Sequence, residues 1–183
     1  MKLIIKKNKN TFFFVSLLLI VYFKYILFVG YSPGDDFFHV NFINDNPSIL
    51  ENIKLNFSIS PGRPIGSIIL GFAHGIFENN IIIYNLISIL LWLFSGLFLK
   101  STFKNLVNKE FSKIFFIIFC FPYLCFSIFI GNTMWSGYIL FIFFWSIAFF
   151  FQEKFYRTNK INCFIFYFLF LFFSIITFEL IIS

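Results

Sequence analysis

IGSIILGFAHGIF, residues 65 to 77, decides how this chain is threaded. Ile65, Ile68, Ile69, Phe72 and Ile76 recur at helical spacing, while Gly66, Gly71, Gly75 and His74 fall mostly elsewhere. The stretch is apolar, yet well short of the ~20 residues a helix needs to cross a hydrocarbon core. It predicts an interfacial or re-entrant helix, ended by Glu78-Asn79-Asn80. Charge parity supports that choice. Were residues 65–77 a full crossing, every later basic segment would change sides.

Working outward, the rest of the chain is apolar to a degree that a self-contained core cannot absorb. Of its 183 residues 60% are hydrophobic, 25% aromatic and 12% charged. Soluble domains carry nearer a quarter charged residues. The expected fold is all-α, a polytopic transmembrane bundle of about five spanning helices plus the short interfacial helix. The net charge of +6 is not a nucleic-acid signature, because the lysines flank hydrophobic runs as topology signals do. Cys120, Cys125 and Cys163 lie inside apolar runs, without metal-ligand spacing or a disulfide framework, and are expected to be packing residues. The abundance of Phe, Ile, Lys and Asn is what A- and T-rich codons produce, and carries no functional meaning.

Lys2, Lys6, Lys7 and Lys9 precede a first crossing at residues 12–29. Lys24 interrupts it and no small-x-small site precedes Tyr31, so an uncleaved helix with a cytoplasmic amino end is expected. Lys24 then snorkels toward the headgroups. Residues 31–64 follow as a polar outer loop, with turns at Ser32-Pro33-Gly34, at Asn44 to Ser48 and at Ser60 to Pro64. The second turn supplies caps for a short helix from Ile49 to about Leu55. Further crossings are expected at 81–99, 114–130 (kinked at Pro122), 135–151 and 161–182. Lys100, Lys104, Lys109, Lys113, Lys154, Arg157 and Lys160 then share the inner side, and Asp35, Asp36, Asp45, Glu51 and Glu78 the outer one.

The outer loop carries the candidate chemistry. Asp35 and Asp36, held near the membrane surface after Pro33-Gly34, suit a general base, a divalent ion, or both. His39 lies about one helical turn on and could share either role. Arg63 offers a fork for phosphate. Glu179, near the outer end of the last helix, is an ionisable group at membrane depth and so a candidate site residue. His74 is expected to be a polar residue at the interface rather than a ligand. No metal-ligand set is assigned.

The order of these features resembles the amino-terminal part of GT-C type polytopic glycosyltransferases, especially the bacterial group that modifies O-antigen. The matching elements are the basic start and first helix, Gly34-Asp35-Asp36 opening a long outer loop, and Gly62-Arg63-Pro64 closing it before an amphipathic helix. Thr177-Phe178-Glu179 is similar to a Phe-Glu element of that family. The resemblance implies transfer of a sugar from a polyprenyl-phosphate donor to a cell-surface glycan acceptor, outside a bacterial plasma membrane. It makes Asp35 or Asp36 the base, or a residue that helps hold a divalent metal, and Arg63 a donor-phosphate ligand, with Glu179 in the matching Phe-Glu element; His39, from its place in the loop, is counted with Arg63 and Glu179 among the substrate-binding candidates. Members of the family have roughly twice as many crossings, so the chain is expected to be part of something larger and inactive alone. The competing expectation is a non-enzymatic membrane subunit of a lipid-linked glycan transport or polymerisation system. The chemistry expected of a polymerase or an acyltransferase, arginine-rich outer loops or an intramembrane histidine, is not what the outer loops offer.

Overall fold

Polar caps and tight turns divide the chain into helices in the computed structural model, which describes residues 48–59, 63–77, 80–120 and 138–177. Six helices and no strands occur among them: α1 (Ile49–Ile59), α2 (Pro64–Phe77), α3 (Ile81–Leu106), α4 (Lys109–Cys120), α5 (Leu140–Thr158) and α6 (Ile161–Thr177). The first expected crossing, the turn at residues 131–137 and the positions of Pro122, Asp35, Asp36, His39 and Glu179 lie outside the described residues.

Each start has a local cause. Ser48 and Glu51 form a capping box: the Glu51 backbone N–H donates to Ser48 Oγ at 3.2 Å, and the hydroxyl donates to Glu51 Oε2 at 2.7 Å. Pro64 opens α2 at the position where a missing N–H costs nothing. Asn80 caps α3 and Asn108 caps α4, accepting from Ile83 N at 3.4 Å and Phe111 N at 2.7 Å. The helix expected to stop at Leu99 continues to Leu106, because Lys100-Ser-Thr-Phe-Lys-Asn-Leu contains no breaker and lysine is a good helix former. Lys100 and Lys104 thus ride on the helix, and the connection shrinks to Val107-Asn108. At the far end of α5, Asn159 takes the left-handed conformation (φ 51°) and donates its N–H to Phe155 O, a helix stop that asparagine tolerates well.

α3 packs against both α4 and α5, and α5 in turn packs against α6. Phe103 meets Phe111 and Phe115 of α4 and Phe149 of α5, at centroid distances of 5.6, 4.6 and 6.1 Å. Phe151 meets Phe166, and Phe155 meets Phe164. These pairs run α3 antiparallel to α4 and α5 antiparallel to α6, and set the α3–α4 and α5–α6 turns at one end. α1 and α2 form a separate antiparallel hairpin against the other end, where Leu70 and Ala73 join Tyr84, Ile89, Trp92, Ile139 and Leu140 in one cluster.

Trp92 anchors that cluster. It is 2% exposed, stacks on Phe119 at 4.2 Å with the rings 7° apart, and donates Nε1–H to the Phe119 carbonyl at 2.8 Å. Trp92→Phe keeps an aromatic surface but removes the donor. We expect a loss of about 1–2 kcal/mol, measured as a lowered unfolding midpoint in detergent.

Small hydroxyls share the interior with the apolar cluster, and many large apolar side chains face out. The fully or nearly buried side chains include Ser67, Ser88, Ser95, Thr102, Ser112, Ser146, Ser174 and Thr177. The hydroxyls of Ser88, Ser95, Thr102, Ser146, Ser174 and Thr177 donate to carbonyls three or four residues back in their own helix. Meanwhile Ile68, Phe72, Leu90, Phe94, Phe168 and Phe172 face outward at 40–60% exposure. In α2 the repeating Ile68, Phe72 and Ile76 point away from the protein, and Gly66, Ser67, Gly71 and His74 point in. Among the described residues one helix, over Ile82–Leu106, is long and apolar enough to cross a membrane; Pro64–Phe77 and Ile161–Thr177 are apolar but shorter.

Candidate functional site

The α1–α2 hairpin builds a buried polar seam. Antiparallel register sets Ile53 against Gly71 and Ile49 against Gly75. A Cβ added at Gly71 would lie 2.5 Å from Ile53 Cα and 2.7 Å from Ile53 N, so only a residue without a side chain lets the backbones come this close. Ser67, Gly71 and Gly75 fall at four-residue intervals, which places them along one stripe of α2.

That close approach sequesters amides. Asn52 and Asn56 are 1% and 3% exposed. Asn52 Nδ2 donates to Ser48 O at 3.2 Å, and Asn56 Nδ2 to Asn52 O at 2.8 Å. Ser67 Oγ reaches across from α2 to donate to Asn56 O at 3.2 Å. Further along α2, His74 is 1% exposed and stands edge-on to Tyr84 of α3, with ring centroids 5.6 Å apart. His74 therefore packs inside the contact between α2 and α3.

Arg63 is the sequence candidate that the described residues contain. It is half-buried at the start of α2, where its carbonyl accepts from Ser67 N at 2.8 Å. A guanidinium is a fork whose geometry suits phosphate. Glu51 is exposed and engaged in its cap, so it is a structural carboxylate here. Asp35, Asp36, His39 and Glu179 lie outside the described residues, and their relation to Arg63 is not fixed. Among the described residues no group of three or more His, Cys, Asp or Glu side chains is placed to hold a metal ion.

Sequence reasoning passed over Asn52, Asn56 and Tyr84, although Asn52 and Asn56 stand one helical turn apart on the same face of a short helix. It also passed over Glu153, a carboxylate only 6% exposed on α5, whose Oε1 lies 3.6 Å from Arg157 Nε. Outside the spanning segments, Glu110 has its carboxyl held below the usual range, first by the hydrogen bond from Lys113 at 2.7 Å and then by that ammonium's charge.

No protein-family model, curated protein or solved structure matches the chain.

Proposed function

We propose that the chain is a membrane-embedded, GT-C-like component that works on a polyprenyl-phosphate-linked sugar at the outer face of a bacterial plasma membrane. The observation that carries the membrane reading is the burial pattern: small hydroxyls inside beside the apolar cluster, many phenylalanines and isoleucines outside. Hydrocarbon reverses the solvent preference that governs soluble domains, so polar side chains gather at helix contacts and apolar ones face out. Monomeric soluble proteins rarely expose so much contiguous apolar area.

Charge segregation supports the orientation. Lysines collect at the α3–α4 and α5–α6 turns, and the polar hairpin packs against the opposite end of α3. With the basic end in the cytoplasm, the hairpin and Arg63 belong to the outer side. There Asp35 or Asp36 would deprotonate the acceptor hydroxyl while Arg63 holds donor phosphate; His39 and Glu179 would contact substrate. A base and a phosphate ligand near the bilayer surface meet a lipid-borne donor without removing it from the membrane. Transfer then breaks the bond from the anomeric carbon to phosphate and forms one to the acceptor oxygen, whose proton goes to the carboxylate.

Topology tests this directly. Ser58 is exposed on α1 and Thr158 at the end of α5. A Ser58→Cys variant is expected to react with a membrane-impermeant maleimide in intact cells, and Thr158→Cys only after permeabilisation, with the parent chain as the background control. The reverse pattern would put the carboxylates in the cytosol and end the proposal.

A further inference from the structure

The basic end of the bundle has no part in outer-face chemistry, and its charges are poorly compensated. Lys100, Lys104, Lys109 and Lys113 surround the α3–α4 turn, and Lys154, Arg157 and Lys160 the α5–α6 turn. The Phe103–Phe149 contact at 6.1 Å packs α3 beside α5, so both turns lie at the same end of the bundle. Glu110 pairs with Lys113 at 2.7 Å and Glu153 with Arg157 at 3.6 Å. That leaves Lys100, Lys104, Lys109, Lys154 and Lys160 without a carboxylate partner among the described residues. Two of these ammonium groups rest instead over aromatic rings: Lys100 Nζ is 4.5 Å from the Phe116 centroid and Lys154 Nζ 5.7 Å from that of Phe150.

Large apolar side chains share the surface with the lysines, alongside exposed Asn105, Asn108 and Asn159. Leu106, Val107, Phe111, Ile114, Tyr156 and Ile161 are 43–74% exposed and interleave with them. A free polyanion would draw mainly on the lysines. A phospholipid would gain from both, through phosphate on the ammonium groups and acyl chain on the apolar ones. We infer that this end is a binding surface for anionic phospholipid headgroups, with Lys100 and Lys154 aligned by their rings to meet the phosphate. The inference rests on the membrane reading and is independent of the transferase reading.

The full chain, purified in zwitterionic micelles, tests it without dependence on orientation in cells. Phosphatidylglycerol and phosphatidylcholine are titrated in turn, with bound lipid counted by native mass spectrometry. We expect preferential binding of phosphatidylglycerol that weakens at least tenfold in the Lys100→Gln, Lys104→Gln, Lys154→Gln, Lys160→Gln chain, since each lysine near a charged surface contributes roughly fivefold. The four corresponding arginine substitutions should preserve it. If the glutamine chain does not fold, binding to the parent must still fall when salt is raised from about 0.05 to 0.5 M, as screening requires. A preference unchanged by salt or by the glutamine substitutions overturns the inference, and displacement by millimolar inorganic phosphate reassigns the surface to a soluble anion and overturns it too. Carbonate washing of membranes reports the membrane reading separately, because recovery of the chain in the wash would remove that reading itself.

Discussion

Replacing Gly71 by leucine is expected to force α1 and α2 apart and to cost about 3 kcal/mol, at the upper end of overpacking penalties. The first added carbon would sit 2.5 Å from Ile53 Cα, 2.7 Å from Ile53 N and 2.9 Å from the Asn52 carbonyl carbon. All three are backbone atoms, so no rotamer change relieves the contact; a whole helix must move. Gly75 compounds the demand, since its added carbon would meet Ile49 Cγ1 and lie 2.7 Å from Ile49 Cα. Separation would also break the Ser67–Asn56 bond and expose the amide seam. Gly96 supplies the contrast. Its nearest neighbours are side-chain atoms, Phe119 Cδ1 at 2.9 Å and Phe116 Cε2 at 3.2 Å, which can give by small shifts without moving a helix, so Gly96→Ala should cost less than Gly71→Leu, about 1–2 kcal/mol. Denaturant unfolding in detergent, followed by helical circular dichroism, compares the two. A Gly71→Leu midpoint equal to that of the parent would mean the hairpin is not packed as described.

The second large effect concerns the reaction. Asp35→Asn and Asp36→Asn leave size and polarity nearly unchanged but remove the proton acceptor. Made at the matching positions of a complete homologue, the substitutions should lower transfer from a polyprenyl-phosphate-linked sugar, assayed in membranes, 10²- to 10⁴-fold in whichever variant carries the base, the range a positioned general base supplies. Membrane insertion should be unaffected in both. The adjacent carboxylates are not expected to be equivalent, because successive side chains of an extended segment point to opposite sides. Full transfer in both variants would take the base away from Asp35 and Asp36 and leave the non-enzymatic reading in front.

Helix positions were largely readable from the residues, and helix faces were not. Ser48 marked a start, and the apolar run from Ile81 announced α3, whereas Asn80, read as part of the stop of the preceding helix, caps α3. The short helix at residues 65–77 was visible from its length alone. Its facing was lost because hydrophobic periodicity, taken alone, does not say whether the apolar side turns to a core or to a hydrocarbon solvent. Ile68, Phe72 and Ile76 have the spacing of a core stripe and are exposed; Gly71 and His74 look incidental and are buried. The extent of α3 was missed for a different reason. Lysines were taken as connector, whereas Lys100 and Lys104 prolong the helix by lying along its surface. The candidate site was legible only at Arg63, because the seam formed by Asn52, Asn56 and Ser67 depends on a register between two helices that no local pattern encodes.

The outward-facing rings leave a mark on how the chain can drift. Positions such as Phe94, Phe164, Phe168 and Phe172 meet a fluid that selects for greasiness and not for shape, so leucine, isoleucine or phenylalanine serve there alike. Nucleotide bias is then free to fill such outward positions with phenylalanine. The glycines and hydroxyls of the helix contacts enjoy no such latitude. In any collection of related chains, the variable half of each helix should be the greasy one.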